Sequence, residues 1–185
     1  MRVAVMTLGL LLAACRAEPS GPICPEAAPV GVPAPASTVT FVRHAEKAAD
    51  GSEDPPLTEA GVARARCLAE VLEPADPTAL LSTDTQRTRD TLGPLAERSG
   101  VRLEVVDTDV QGWATRLRQA PEGSRIVVSA HSNTIPAIVD ALGGDPGPLD
   151  AQGNIPHEEY DRMLTVVLGG RGQVVTVRTR YCVRR

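Results

Sequence analysis

The sequence predicts an α/β fold, a three-layer α/β/α sandwich built on a mostly parallel sheet. Three observations lead there. Short β-branched or apolar runs alternate with segments of helical periodicity along residues 37–142, the pattern of helices packed on both faces of a parallel sheet. Two of the runs, Ser37–Val42 (STVTFV) and Arg125–Ser129 (RIVVS), have the character of buried strands. Two strands with no helix between them, separated by Gly169-Gly170-Arg171-Gly172, close the chain and read as an antiparallel hairpin.

Taken in order, Ser37–Val42 is the first strand and ends at Arg43-His44. Ala45–Pro56 is polar, finishes in a double proline and reads as loop. Thr58 is placed to cap a helix from about Glu59 to Leu72, with Val62, Ala65, Leu68, Ala69 and Leu72 on its apolar face. Thr78–Leu81 is a short second strand. Thr83 or Asp84 caps the next helix, which runs to about Arg98 with an expected kink at Gly93-Pro94. Val101–Val106 is the third strand, and Gly112–Gln119 is a short helix carrying Trp113. Arg125–Ser129 is the fourth strand. Asn133–Leu142 is a helix stopped by Gly143-Gly144. Met163–Leu168 and Val174–Thr179 form the final pair.

The chain has 185 residues and a formal net charge of −4, and its aromatics are Phe41, Trp113, Tyr160 and Tyr181 alone. The core must therefore come from Val, Leu, Ile and Ala. A nucleic-acid partner is not expected, because both a basic footprint and stacking platforms are missing. Lys47 is the only lysine, so an anion site here is built from arginine forks.

The first residues read as an address. Arg2 precedes a short apolar run from Val3 to Leu12, too short to span a bilayer and shaped like a signal peptide. Leu12-Ala13-Ala14-Cys15 resembles the lipobox of bacterial lipoproteins, which implies cleavage before Cys15 and a lipid on its thiol. An ordinary signal peptide with an incidental cysteine is the alternative. The expected organisation is a signal peptide over 1–14, a Pro/Ala-rich tether over 15–36 and one folded domain over 37–185. Secretion across the inner membrane and lipid anchorage in the bacterial envelope follow. Cys24, Cys67 and Cys182 remain after Cys15, enough for one disulfide and one thiol. Cys24 with Cys182 is the expected pair, since each lies near one end of the mature domain.

In a parallel sheet, ligands bind beyond the carboxyl ends of the strands. Three such ends stand out: Arg43-His44-Ala45-Glu46-Lys47 after the first strand, Ser82-Thr83 with Arg87 after the second, and His131-Ser132-Asn133 after the fourth. Together they supply two histidines, two arginines and two helix N-termini. Guanidinium forks bind phosphate oxygens in pairs, helix N-termini offer free N–H groups, and a neutral imidazole is a competent nucleophile.

The segments FVRHAEK, LTEAG, STDTQRTRDT and SAHSNT resemble, in order and spacing, the histidine phosphatase superfamily, also called phosphoglycerate-mutase-like. They are most similar to its small bacterial branch with an RHAE motif. The resemblance covers Ser37 to Arg180. It implies that His44 is the nucleophile that becomes phosphorylated, that Arg43 and Arg87 clamp the phosphate oxygens, and that His131 donates a further hydrogen bond or charge. No metal or other cofactor is implied. Ala45 stands where the first motif usually has glycine, as in several small bacterial members. The family usually has an Asp or Glu that protonates the leaving oxygen, at a position that varies between branches. Asp109 is favoured here over Asp107 and Glu46.

Other residues carry a plainer alternative. For Arg87 the plainer reading is a helix-surface cation, as for Arg89, but the Ser-Thr-x-x-x-Arg spacing puts Arg87 near the helix start and favours the site. Asn133 reads as a helix cap, with a phosphate contact as the alternative. His157 near Glu158, Glu159 and Asp161 is too sparse a set for a metal. Trp113 reads as an anchor of the core or rim, and Cys67 projects away from the apolar face with no cationic pairing to activate it. The expected activity is hydrolysis of phosphomonoesters on a small molecule, glycan or phosphoprotein, at an open site on a monomer. The short segments between motifs leave no cap domain to enclose a mutase pocket. The alternative is a phosphatase-like module that binds a phosphorylated ligand without turning it over.

Overall fold

The computed structural model describes residues 35–183. The expected signal peptide, Cys15, Cys24 and the tether up to residue 34 lie outside the described residues.

Six strands form one sheet, β1 (Ser37–Arg43), β2 (Ala79–Ser82), β3 (Leu103–Val105), β4 (Arg125–Ala130), β5 (Arg162–Leu168) and β6 (Val174–Arg180), in the order β3-β2-β4-β1-β5-β6. The pairs β3-β2, β2-β4 and β4-β1 are parallel, while β1-β5 and β5-β6 are antiparallel. The expected sandwich is thus present, with the antiparallel hairpin at one edge.

Four α-helices cover it: α1 (Glu59–Leu72), α2 (Gln86–Ser99), α3 (Val110–Arg118) and α4 (Thr134–Ala141). The alternation of strand side chains divides the core in two. Val39 and Phe41 of β1 pack with Trp113, Leu117, Ile135 and Ile138 of α3 and α4. Val42 of β1 and Val127 of β4 pack with Leu68, Leu72, Leu92 and Leu95 of α1 and α2. Phe41 is fully buried, so Phe41→Ala should cost about 3–5 kcal/mol through lost burial and the cavity left behind.

Thr58 caps α1 as its position suggested, its hydroxyl accepting from Gly61 N at 3.1 Å. The buried face of α1 differs by one position. Gly61 is buried and Val62 is 39% exposed. A Cβ on Gly61 would lie 2.2 Å from the carbonyl oxygen of Glu46. The helix needs glycine there to approach the loop that follows β1, and that approach rotates Val62 outward. Helix α2 starts later than expected, with Thr85 as its N-cap, and runs through Pro94 to Gly100, whose φ of 70° ends it. Trp113 is a core residue.

The disulfide corrects the expected pairing. Cys67 of α1 is bonded to Cys182, just beyond β6, with Cα atoms 6.2 Å apart. Proximity to the two chain ends was the wrong criterion. Strand β6 carries the C-terminal segment back alongside α1, where Tyr181 is buried among Leu68, Leu72 and Met163, so Cys67 is the residue that Cys182 meets.

Candidate active site

The strand register brings the three predicted segments together. Arg43 lies opposite Ala130 in the β1-β4 pair, and Ser82 lies opposite Ser129 in the β2-β4 pair. His44, Thr83 and His131 therefore follow three neighbouring strands at one level of the same sheet edge. Strand β5 runs the other way, with Met163 opposite Val42. The loop 156–161 that enters β5 consequently reaches this edge as well.

His44 is 4% exposed. Its backbone N–H donates to Ala130 O at 3.0 Å, and its Nδ1 lies 2.8 Å from Ala45 O. A carbonyl only accepts, so this contact places the proton on Nδ1 and leaves the lone pair on Nε2. Burial lowers the pKa of His44 to about 4. The Ala45 carbonyl opposes that shift, and the charges of Arg43, His131 and Arg87 add to it. The ring is therefore neutral at ordinary pH, the state a nitrogen nucleophile requires. Ala45 is itself fully buried, and its N–H is held by Thr91 Oγ1 at 2.9 Å. Thr91 also donates to Arg87 O at 2.7 Å, so α2 fixes the His44 loop directly.

His131 packs edge-on against His44, with ring centroids 5.5 Å apart. Its Nε2 is 3.1 Å from Thr83 Oγ1. Burial again lowers its pKa to about 4, helped by Arg87 and Arg43 and opposed by Asp54.

Both guanidiniums are held from one side. Arg43 is 5% exposed, and its Nη1 donates to His157 O at 2.7 Å. Its plane lies 4.3 Å from the centre of the Tyr160 ring. Burial lowers its pKa, while Tyr160, Glu158 and Glu46 pull it back up. Arg87 donates from Nη1 to Asp54 Oδ1 at 3.1 Å. In both residues Nε is buried with no hydrogen-bond partner. A buried donor left unsatisfied costs free energy unless a ligand meets it, and a tetrahedral oxyanion presents acceptors for two such donors. Two orphaned guanidinium donors, two neutral imidazoles and one free Nε2 lone pair form a site that can bind a phosphoryl group and accept it on nitrogen.

The three carboxylates considered as proton donors are placed differently. Glu46 forms a bidentate pair with Arg64, at 2.8 Å for the closest contact. Asp109 is exposed and caps α3, accepting from Gly112 N at 2.7 Å. Asp107 is exposed. No hydrogen bond or ion pair among the described residues joins Asp109 to His44, His131, Arg43 or Arg87. Asn133 is the N-cap of α4, without a side-chain capping bond, and Arg89 pairs with Asp84 at the surface.

The sequence reasoning missed three neighbours of the site: Tyr160, His157 and Asp54. Tyr160 tilts toward His44 at 6.1 Å. The signal for the first two was present, because an antiparallel strand beside β1 must begin where β1 ends. Among the described residues no cluster of His, Cys, Asp and Glu is suited to a metal. A cavity of about 860 Å³ lined by Thr78, Leu117, Ser124 and Ile126 opens at the opposite end of the sheet. It contains none of these groups, so the chemistry locates the site and cavity size does not.

Comparison with known proteins supports the fold. The sequence model of the histidine phosphatase superfamily, branch 1, matches residues 39–109. The fold is similar to the protein histidine phosphatase SixA complexed with tungstate, at 20% identity and a TM-score of 0.62, covering 77% of this chain and 96% of that one. It is similar also to the putative phosphohistidine phosphatase SixA from Agrobacterium tumefaciens, at 21% identity and a TM-score of 0.57, over 81% and 99% of the chains. A mycobacterial glucosyl-3-phosphoglycerate phosphatase gives 18% identity and a TM-score of 0.57 over 80% and 100%. Among the curated proteins nothing matches.

Proposed function

From the premise that this chain is a phosphatase of the histidine phosphatase superfamily, we propose that it hydrolyses phosphomonoesters through a phosphohistidine on His44. The observation that supports this most directly is the free Nε2 of a neutral, buried His44 beside two guanidiniums whose Nε donors lack partners. Nε2 attacks phosphorus as the ester oxygen leaves with a proton from a carboxylic acid; water, giving a proton to the resulting carboxylate, then attacks phosphorus, and the phosphorus–nitrogen bond breaks to release phosphate and free Nε2. Splitting the hydrolysis at a nitrogen nucleophile replaces one hard step with two easier ones. Arg43, Arg87 and His131 stabilise the charge on the equatorial oxygens.

Asp109 is the proposed proton donor. Glu46 is already committed to Arg64, whereas Asp109 has only its cap to leave. Asn is an equally good cap, so Asp109→Asn tests the role without removing the helix stop. The substrate is a phosphorylated small molecule, glycan or phosphoprotein, met in the bacterial envelope where a lipid on Cys15 would hold the enzyme.

The test is turnover of an aryl phosphate by the full chain in the presence of EDTA, wild type against His44→Ala. Chelator-resistant turnover by wild type and a loss of at least about a thousandfold in the variant are expected. Full activity in His44→Ala would overturn the mechanism. An inactive wild type that still binds phosphate would favour a binding module.

A further inference from the structure

Both catalytic-site arginines present Nε unpartnered and are anchored through Nη1. The anchors differ in kind. Arg43 is held by backbone carbonyls of the loop before β5 and by the face of Tyr160. Arg87 is held by one side chain, Asp54, from the loop that follows the nucleophile. Oδ1 of Asp54 accepts from Arg87 Nη1 at 3.1 Å and from Gln86 N at 3.0 Å, and Oδ2 accepts from Gln86 N at 2.8 Å. The carboxylate therefore meets the first free N–H of α2 and the guanidinium one residue further on. A negative charge at a helix N-terminus is favourable, and an ionised acceptor holds a guanidinium more strongly than a neutral one does.

We propose that Asp54 is a positioning residue: its carboxylate pins Nη1 of Arg87 to the first turn of α2 and so keeps Nε of Arg87 directed at the phosphoryl group. Without that anchor, Arg87 is a long side chain with several rotamers, and part of the binding free energy is lost in ordering it. The same contact ties the His44 loop to α2, alongside the bond from Ala45 N to Thr91. The carboxylate acts through Arg87 and takes no proton in the reaction. Pro55, next to it, is buried, and the double proline restricts the backbone that carries Asp54.

The inference rests on the anion site described above, and its readout is chosen to be independent of turnover. Tungstate, a tetrahedral dianion, is titrated by calorimetry into the full chain as wild type, Asp54→Ala, Asp54→Asn and Arg87→Lys, and into the two Asp54 variants combined with Arg87→Lys. Asp54→Ala should weaken tungstate binding by about tenfold. Asp54→Asn keeps an oxygen for both contacts of Oδ1 but loses the charge, and should recover part of the affinity. In the Arg87→Lys background neither Asp54 substitution should change affinity by more than about twofold, because an ammonium, though still a cation, has no Nε–Nη fork for the carboxylate to orient.

A purely structural role would lower the melting temperature and leave the affinity of the folded protein unchanged. Unchanged or tighter binding in Asp54→Ala, or the same loss in the Arg87→Lys background, overturns the proposal. Should Asp54→Ala fail to fold, Asp54→Asn and its Arg87→Lys partner carry the same test. A wild type that binds tungstate but hydrolyses nothing would overturn the phosphatase reading and leave this test standing.

Discussion

At His44 the hydrogen bond from Nδ1 to Ala45 O and the burial of the ring fix both the tautomer and the charge. An exposed histidine titrates near 6.5 and loses its nucleophilic form below that. Here both imidazoles titrate at about 4. With a substrate whose own ionisation is accounted for, the acid limb of kcat/KM, which reports the free enzyme, is expected near pH 4 to 5. A limb at about 6.5 would show that neither ring is buried as described. The same shift sets a stability window. Because the folded state holds these protons less tightly than the unfolded chain, the contribution is complete above about pH 6.5 and is lost as pH falls toward 4. At this scale the sequence singled out Arg43, His44, Arg87 and His131 by their places after strand ends, and the family resemblance supplied the roles proposed for them. Asp54 had no such mark, since an aspartate in a polar loop stands out only once the fold places it, whereas Tyr160 was marked only by the start of the antiparallel strand beside β1.

Elements were legible where a local signal coincided with the tertiary demand. Thr58 capped α1 at the expected residue, and the six strands were found within one or two positions of their expected bounds. Where packing overrode the local signal, the expectation failed. Helical periodicity put Val62 on the inner face of α1, but the carbonyl of Glu46 lies where any side chain at position 61 would point, and the helix turned to match. The pairing of Cys67 with Cys182 depended on where β6 returns the chain, which no spacing in the sequence encodes. That bond closes a separation of 115 residues and joins α1 to the end of the sheet. Arg64 of α1 meanwhile grips Glu46 two residues from His44 and reaches Cys182 O at 3.5 Å. Cys67→Ser should therefore lower unfolding stability by about 2–5 kcal/mol, read as a lower denaturant midpoint under oxidising conditions. An unchanged midpoint would mean the bond constrains nothing that the packing does not already hold.

Across the whole molecule, function follows from one topological fact. Parallel strands β2, β4 and β1 deliver Thr83, His131 and His44 to a common edge, and the antiparallel β5 delivers its entry loop to the same place. The helices then supply restraint: α2 through Thr91 and Arg87, α1 through Gly61 and Arg64. The alternation of strands and helices made this architecture readable, and the strand-end rule directed attention to the edge where these residues converge. The antiparallel loop escaped notice because that rule, applied to parallel strands alone, omits the neighbour that runs the other way. In the mechanism proposed, His44 carries the phosphoryl group between two steps. The most direct test is rapid denaturing, alkaline quench of the full chain during turnover of a radiolabelled phosphomonoester, followed by peptide mapping. An alkali-stable, acid-labile label is expected on the peptide containing His44 and none in His44→Ala. A wild-type enzyme that turns over its substrate with no trapped label, or a label that persists in His44→Ala, would contradict it.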